Sequence, residues 1–166
     1  MKKFLREWGP SIVICSSVVF LKLAVIDVAT VKGISMYPTL NNNDTILVEK
    51  ISRYGKKYER GDIVILDSHR ENKELNISRY WIKRIIALSG DTIECRSGRV
   101  YVNDELIQEN YICEQAVTSE IRKTIIPDGK MFVMGDNRLN SADSREIGFI
   151  SYNDINSKFV MKIKSE

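Results

Sequence analysis

Two hydrophobic patterns divide the chain. The first is an apolar run from Ser11 to Leu21, broken by Lys22 and resumed from Leu23 to Ile26. Counted from Trp8, the stretch to Ile26 just reaches the roughly 20 residues that a helix needs to cross a bilayer core. Lys2, Lys3 and Arg6 precede it, and Trp8 stands at its front edge, where an amphipathic ring suits the headgroup layer. Lys22 comes late enough for its ammonium to snorkel toward the far face. A basic flank on one side only keeps that end in the cytoplasm and places the rest of the chain outside. The pattern therefore predicts a cytoplasmic N-terminus over residues 1–9, a single transmembrane helix over 10–27 and an extracytoplasmic domain over 28–166. A cleaved secretory leader starts the same way, but Val28–Ala29–Thr30 is a poor cleavage site. A buried core helix has no need of a one-sided basic flank.

After Thr30 the period shortens. Apolar or alternating runs recur at Thr45–Glu49, Asp62–Asp67, Tyr80–Leu88, Thr92–Glu94, Arg99–Val102, Lys123–Ile126, Met131–Met134 and Phe159–Ile163. Turn residues separate them, among them Asn41–Asn43, Ser89–Gly90–Asp91, Ser97–Gly98, Asn103–Asp104 and Pro127–Asp128–Gly129. Short strands at this spacing predict a mostly β, antiparallel domain. Cys95 to Arg99 reads as a hairpin tip, with glycine supplying positive φ.

Composition narrows the function. The 166 residues suit one compact domain and an anchor. Hydrophobic residues make up 43% and charged ones 28%, which excludes disordered and collagen-like chains. A net charge of +3 without a basic, aromatic-studded patch gives no case for nucleic acid. One histidine, His69, and three cysteines at no metal-ligand spacing predict neither metal nor cofactor. Cys95 and Cys113 admit a disulfide, and Cys15, in the apolar run, is expected as a small buried hydrophobe.

Three segments carry candidate chemistry. In Gly33–Ile34–Ser35–Met36–Tyr37–Pro38–Thr39–Leu40, a serine stands where a strand gives way to a turn. Gly33 permits close backbone approach, and free N–H groups beside a serine can stabilise an oxyanion. Such a serine is ordinarily a turn or cap residue. In Tyr80–Leu88, strand alternation puts Trp81, Lys83 and Ile85 on one face. An apolar flank disfavours the ammonium and turns a lysine into a usable base; the ordinary alternative is an edge-strand lysine that blocks aggregation. The third segment, Gly135 to Gly148, mixes Asp, Arg and Ser after an apolar strand. It is either a solvated loop or a paired network that holds a loop rigid. His69 lies in the polar stretch Asp67–Ser78, as an exposed loop residue rather than a proton shuttle.

Together these segments resemble the bacterial type I signal peptidase family. Gly33–Leu40 is similar to its serine box, Trp81–Asp91 to its lysine box, and Gly135–Arg145 to its final box, where Ser141, Asp143, Ser144 and Arg145 meet the Ser-x-Asp-Ser-Arg pattern. Arg60–Val64 fits a further family strand, and the four lie in order after an anchor. The resemblance implies an antiparallel β-sheet peptidase domain preceded by one N-terminal transmembrane helix, in the compact form of Gram-positive members. It implies a membrane-bound serine endopeptidase that removes signal peptides from secretory preproteins having small residues before the cut. Ser35 would be the nucleophile and Lys83 the general base, with Ser141 orienting the amine. Asp143 with Arg145, and Asp136 with Arg84, would be scaffold pairs. Met36 and Trp81 would wall the substrate cleft. Some members carry a serine hydroxyl at the place of Gly33, so the second oxyanion donor is open here, the Gly33 N–H being one candidate. Trp81 stands where tyrosine is common, and Ser89 where proline is frequent. The partners implied are preproteins and the lipid bilayer, with no nucleic acid and no cofactor. Two other readings are a self-cleaving Ser–Lys peptidase of the SOS-repressor kind, which would be cytosolic, and a noncatalytic membrane-tethered β module that binds secreted or translocon proteins.

Overall fold

The computed structural model describes residues 2–20, 25–69 and 79–164. It is built from antiparallel strands. They form one seven-stranded and one four-stranded sheet. In chain order the elements are α1 (Lys2–Phe20), β1 (Ile26–Thr30), β2 (Thr45–Glu49), α2 (Ile51–Gly55), β3 (Ile63–Asp67) and β4 (Tyr80–Ala87). Next come β5 (Thr92–Arg96), β6 (Arg99–Val102), β7 (Glu105–Leu106), β8 (Ile121–Ile125) and β9 (Lys130–Met134). The helix α3 (Ser144–Ile147), β10 (Ile150–Ser151) and β11 (Ile155–Lys164) complete the fold. The seven-stranded sheet has the order β1–β2–β11–β3–β4–β9–β10, and the four-stranded sheet the order β7–β6–β5–β8.

The eight runs read as strands are all strands. β1, β7, β10 and the first half of β11 carry weaker patterns. Ile26 and Asp27, assigned to the anchor by hydropathy, open β1 instead, which pairs with β2 from Ile26↔Glu49 to Thr30↔Thr45. The helix lies earlier than the apolar run suggests and contains Pro10. Among the described residues no helix is long and apolar enough to cross a membrane; Lys22 lies outside them. Cys15, expected to be buried, is exposed, because the side chains of Ser11 to Val19 are exposed all round α1. Cys95 and Cys113 are free thiols.

The hairpins follow from local chemistry. Ser97 and Gly98 both have positive φ, 51° and 75°, and join β5 to β6 with Arg96↔Arg99 as the closing pair. Two residues with positive φ suit the right-handed twist of the flanking strands. Asn103 and Asp104, at 53° and 66°, do the same between β6 and β7.

β4 connects the core to the site. Its first residues are exposed or half-buried, and Lys83 to Ala87 are buried. Ile82 packs toward Met36, Leu40, Ile46 and Val48. Trp81 and Ile85 pack toward Val64, Leu66 and Val133. Ile86 and Ala87 reach the cluster under the small sheet, with Ile93, Val100 and Phe132. One strand thus touches all three apolar clusters, so Lys83 and Arg84 are fixed by the packing on either side of them.

Candidate active site

The turn that carries Ser35 is held from both ends. Met36, 1% exposed, and Leu40, 1% exposed, are sunk in the core, and Leu40 N–H donates to the Met36 carbonyl at 2.9 Å. On the other side, Asn137 N–H donates to the Ser35 carbonyl at 3.0 Å, and the Asn137 amide donates to the Ile34 carbonyl at 3.1 Å. Gly33 has φ +91°, the left-handed region that glycine enters without strain.

Lys83 reaches this turn from β4, its Nζ 2.8 Å from Ser35 Oγ. As an ammonium it donates to the hydroxyl; as a neutral amine it can accept the hydroxyl proton at the same separation. The side chain is 4% exposed, and its Nζ lies 5.6 Å from the Trp81 ring centroid. Burial is the main influence and pushes the amine down from 10.5 to about 8. The Asp143 carboxylate works against that shift, Arg145 with it and Asp136 against it. At pH 7 the neutral fraction rises roughly 300-fold over an unperturbed lysine, to about a tenth.

Gly135 explains how the parts come so close. A Cβ there would overlap Ser141 Oγ and stand 2.5 Å from the Ser35 carbonyl oxygen. Only a residue without a side chain lets the chain leaving β9 pass so close to both serines. The Ser141 hydroxyl is buried and has no hydrogen-bond partner among the described residues. It lies near enough to Asp143 to favour that anion, yet outside hydrogen-bond geometry.

Asp143 ties the final loop together. Its carboxylate accepts from Arg145 Nε at 2.8 Å, Arg145 Nη2 at 2.7 Å and Gly135 N–H at 2.9 Å, and it also caps α3 through Arg145 N–H. Burial alone would raise this carboxyl, but the bonds from Arg145 and Gly135 and the Arg145 charge outweigh it and hold it below the usual carboxylate range. Arg84, next to Lys83, grips Asp136 with two bonds of 2.8 and 2.6 Å, and Thr39 donates to the same carboxylate.

Two expectations from the sequence need correcting. The Gly33 N–H already donates to Asn42 Oδ1 at 2.9 Å, so it is not a free oxyanion donor. The Ser35 N–H, by contrast, has no acceptor among the described residues. Met36 belongs to the core, and the groove beside Ser35 is lined by Ile34 and Trp81 but not by Met36; the turn points its side chain inward. His69 is exposed, with Nε2 3.2 Å from Asp154.

That groove has a volume of about 1140 Å³. Ser35, Lys83 and Ser141 line it, and Val48, Ile65 and Ile82 contribute apolar lining. β9 pairs with β4 only from Arg84 onward, and β1 lies at the sheet's edge. Both Val28–Thr30 and Tyr80–Lys83 line the groove. The outer edge of β1 suits an extended peptide, which can add to it as a strand. A nucleophile, a depressed-pKa amine within reach and a free N–H beside the nucleophile can perform acyl transfer.

Comparison with known proteins agrees. The family described as "Signal peptidase, peptidase S26" matches residues 5–163. The chain is 36% identical over 167 residues to Signal peptidase I of Bacillus amyloliquefaciens, covering 93% of this chain and 83% of the relative. It is 35% identical to Signal peptidase I S of Bacillus subtilis, covering 96% and 90% respectively. The crystal structure of a signal peptidase I from Enterococcus faecalis superposes with a TM-score of 0.53 at 28% identity, covering 63% of this chain and 97% of that one.

Proposed function

The chain belongs to the signal peptidase family, peptidase S26, and on that premise we propose that it is a membrane-anchored serine endopeptidase that removes signal peptides from secreted preproteins through a Ser35–Lys83 dyad. The observation that carries the reading is the 2.8 Å approach of a buried lysine amine to a serine hydroxyl at the end of a peptide-sized groove. Neutral Lys83 takes the Ser35 proton as Oγ attacks the scissile carbonyl. The oxyanion that forms accepts a hydrogen bond from the Ser35 N–H. Lys83, now an ammonium, returns the proton to the leaving amine, which departs as the N-terminus of the mature protein. A water then enters and gives its proton to Lys83 as its oxygen attacks the acyl-enzyme ester; the C–Oγ bond breaks, the Lys83 ammonium returns that proton to Ser35 Oγ, and the signal peptide leaves as a carboxylate. Ser141, which lines the groove with Lys83 and whose buried hydroxyl is otherwise unengaged, is available to hydrogen-bond the amine and orient it.

The apolar lining supports small residues before the cut, since a larger side chain would meet Ile82 or Trp81. The basic N-terminal flank and the apolar run after it support an anchor with the catalytic domain outside the cytoplasm. The partners of this reading are preproteins and the bilayer.

The test is cleavage of a labelled preprotein by the detergent-solubilised full chain. Ser35→Ala should lose several orders of magnitude in rate. Lys83→Arg should be equally inactive, since a guanidinium keeps its proton. The wild-type rate should climb with pH through an ionisation near 8, where Lys83 becomes neutral. Near wild-type turnover by either variant would refute the dyad.

A further inference from the structure

Between β7 and β8 runs a segment, residues 107–120, that belongs to none of the motif-bearing stretches and contributes nothing to the groove. Three of its side chains, those of Glu109, Tyr111 and Thr118, nonetheless reach the scaffold that holds the dyad. Glu109 grips Arg138 with both carboxylate oxygens, one of them 3.0 Å from Arg138 Nη1. The Arg138 side chain is fully buried and that of Glu109 nearly so. Tyr111, whose hydroxyl donates to Glu109 at 3.1 Å, lays its ring 4.0 Å from the Arg84 guanidinium.

Each arginine is one step from the reacting atoms. Arg138 Nε donates to the Gly135 carbonyl at 3.2 Å, and the Arg138 carbonyl accepts from Arg145 Nη1 at 2.8 Å. Gly135 is the residue on which Ser141 and the Ser35 carbonyl rest. Arg84 follows Lys83 on β4 and holds Asp136. The segment is itself moored to the small sheet. Thr118 N–H donates to the Gly98 carbonyl in the β5–β6 turn at 3.4 Å, and the Thr118 hydroxyl accepts from Arg138 at 2.6 Å.

We propose that residues 109–118 form a strap that sets the spacing of Ser35, Lys83 and Ser141, with Glu109 as its positioning residue. Without the Glu109 carboxylate, the Arg138 guanidinium is left buried without its counter-charge, and such a group moves to find water or another partner. Movement of Arg138 shifts Gly135 and the two serines it supports. Rate depends steeply on such geometry, so the loss falls on turnover. Substrate binding is spared, because Glu109 does not line the groove. Stability alone would give a different result, namely less folded enzyme with unchanged turnover per folded molecule.

This proposal rests on the Ser35–Lys83 reading, and the experiment separates the two. Full-length wild type, Ser35→Ala, Glu109→Gln and, as a control at an exposed position of the small sheet, Glu105→Gln are assayed on a peptide substrate. Rates are normalised to the folded fraction from near-ultraviolet circular dichroism. Glu109→Gln should lose about tenfold to a hundredfold in kcat with KM within about twofold, while Glu105→Gln matches wild type. Should Glu109→Gln not fold, the double variant Glu109→Gln with Arg138→Gln replaces the buried ion pair by two neutral amides. It should fold and stay slow, since an amide cannot reach Thr118 and Gly135 at once. Wild-type kcat in Glu109→Gln, or its recovery in the double variant, overturns the strap while leaving the dyad standing. Activity in Ser35→Ala would instead overturn the dyad and the strap with it.

Discussion

A single hydrogen atom at Gly135 decides whether the two serines can share one place. Glycine usually holds its position by positive φ, but here the reason is contact, since a Cβ would overlap Ser141 Oγ, Ser141 Cβ at 2.5 Å and the Ser35 carbonyl. Gly135→Ala should therefore push Ser141 and the Ser35 turn away from Lys83. We expect about a hundredfold loss of kcat with a stability cost of about 1–3 kcal/mol, as for other overpacked sites. Turnover close to wild type, measured on the same peptide, would show that the neighbours yield without moving the dyad. Ser35 and Lys83 were legible in the sequence because two unusual local settings, a serine before a turn and a lysine flanked by Trp81 and Ile85, matched a family pattern together. Gly135 and Glu109 were not legible in the same way. They matter through proximity in space, to Ser141 in one case and Arg138 in the other, and neither neighbour is recoverable from local pattern. Gly33 and Met36 misled for a related reason: the turn hands the Gly33 N–H to Asn42 and rotates Met36 into the core.

At the scale of elements, the loop from β9 to α3 behaves as a folded unit organised around one carboxylate. Residue types alone left open whether the Asp143–Arg145 pair is buried. The side chains are 0% and 12% exposed, so it is. Asp143→Ala removes the cap of α3, the partner of Arg145 and the acceptor of Gly135 N–H together. The expected cost is on the order of 3–5 kcal/mol, against under about 1 kcal/mol for an exposed pair, and the melting temperature of the variant measures it. Activity should fall as well, because Gly135 loses a tether. An unchanged melt would mean that Arg145 finds equal partners elsewhere. The lowered carboxyl sets the sign with pH: the stabilisation is complete above the ordinary Asp value and is lost as pH falls through the folded one. Strands were the easiest elements to read, since alternation survives wherever one face is buried. β11 shows the limit. Its buried positions Ile155 and Ser157 alternate with Asn156 and Lys158, and a buried serine leaves no hydropathic trace. The first two residues of β1 were absorbed into the anchor because an edge strand beside an apolar run continues it in hydropathy.

At the scale of the whole molecule, the two sheets and three apolar clusters of the described residues keep the Lys83 amine away from water, and that has a cost in stability. The Lys83 ammonium is lowered from 10.5 to about 8 chiefly by burial, which corresponds to about 3 kcal/mol against the folded state. The sign is fixed by proton counting. Below about 8 both states carry the proton and the whole penalty stands. Between 8 and 10.5 the unfolded chain binds a proton that the folded one does not, so the Lys83 contribution improves as pH rises. Lys83→Met keeps a side chain of similar length without the charge, and the Trp81 ring that faces Nζ accepts a thioether readily. The variant should be inactive and yet melt above the wild type at pH 7, with the gap narrowing as both are taken toward pH 10. Other lysines and tyrosines titrate over the same range, but they are common to both proteins and cancel in the difference. Paired melts of wild type and Lys83→Met at pH 7 and pH 9.5 make the measurement. A variant that melts below wild type at neutral pH, or a gap that stays constant with pH, would mean that Lys83 is not held as a strained charge, and the burial of this amine could no longer account for a working base.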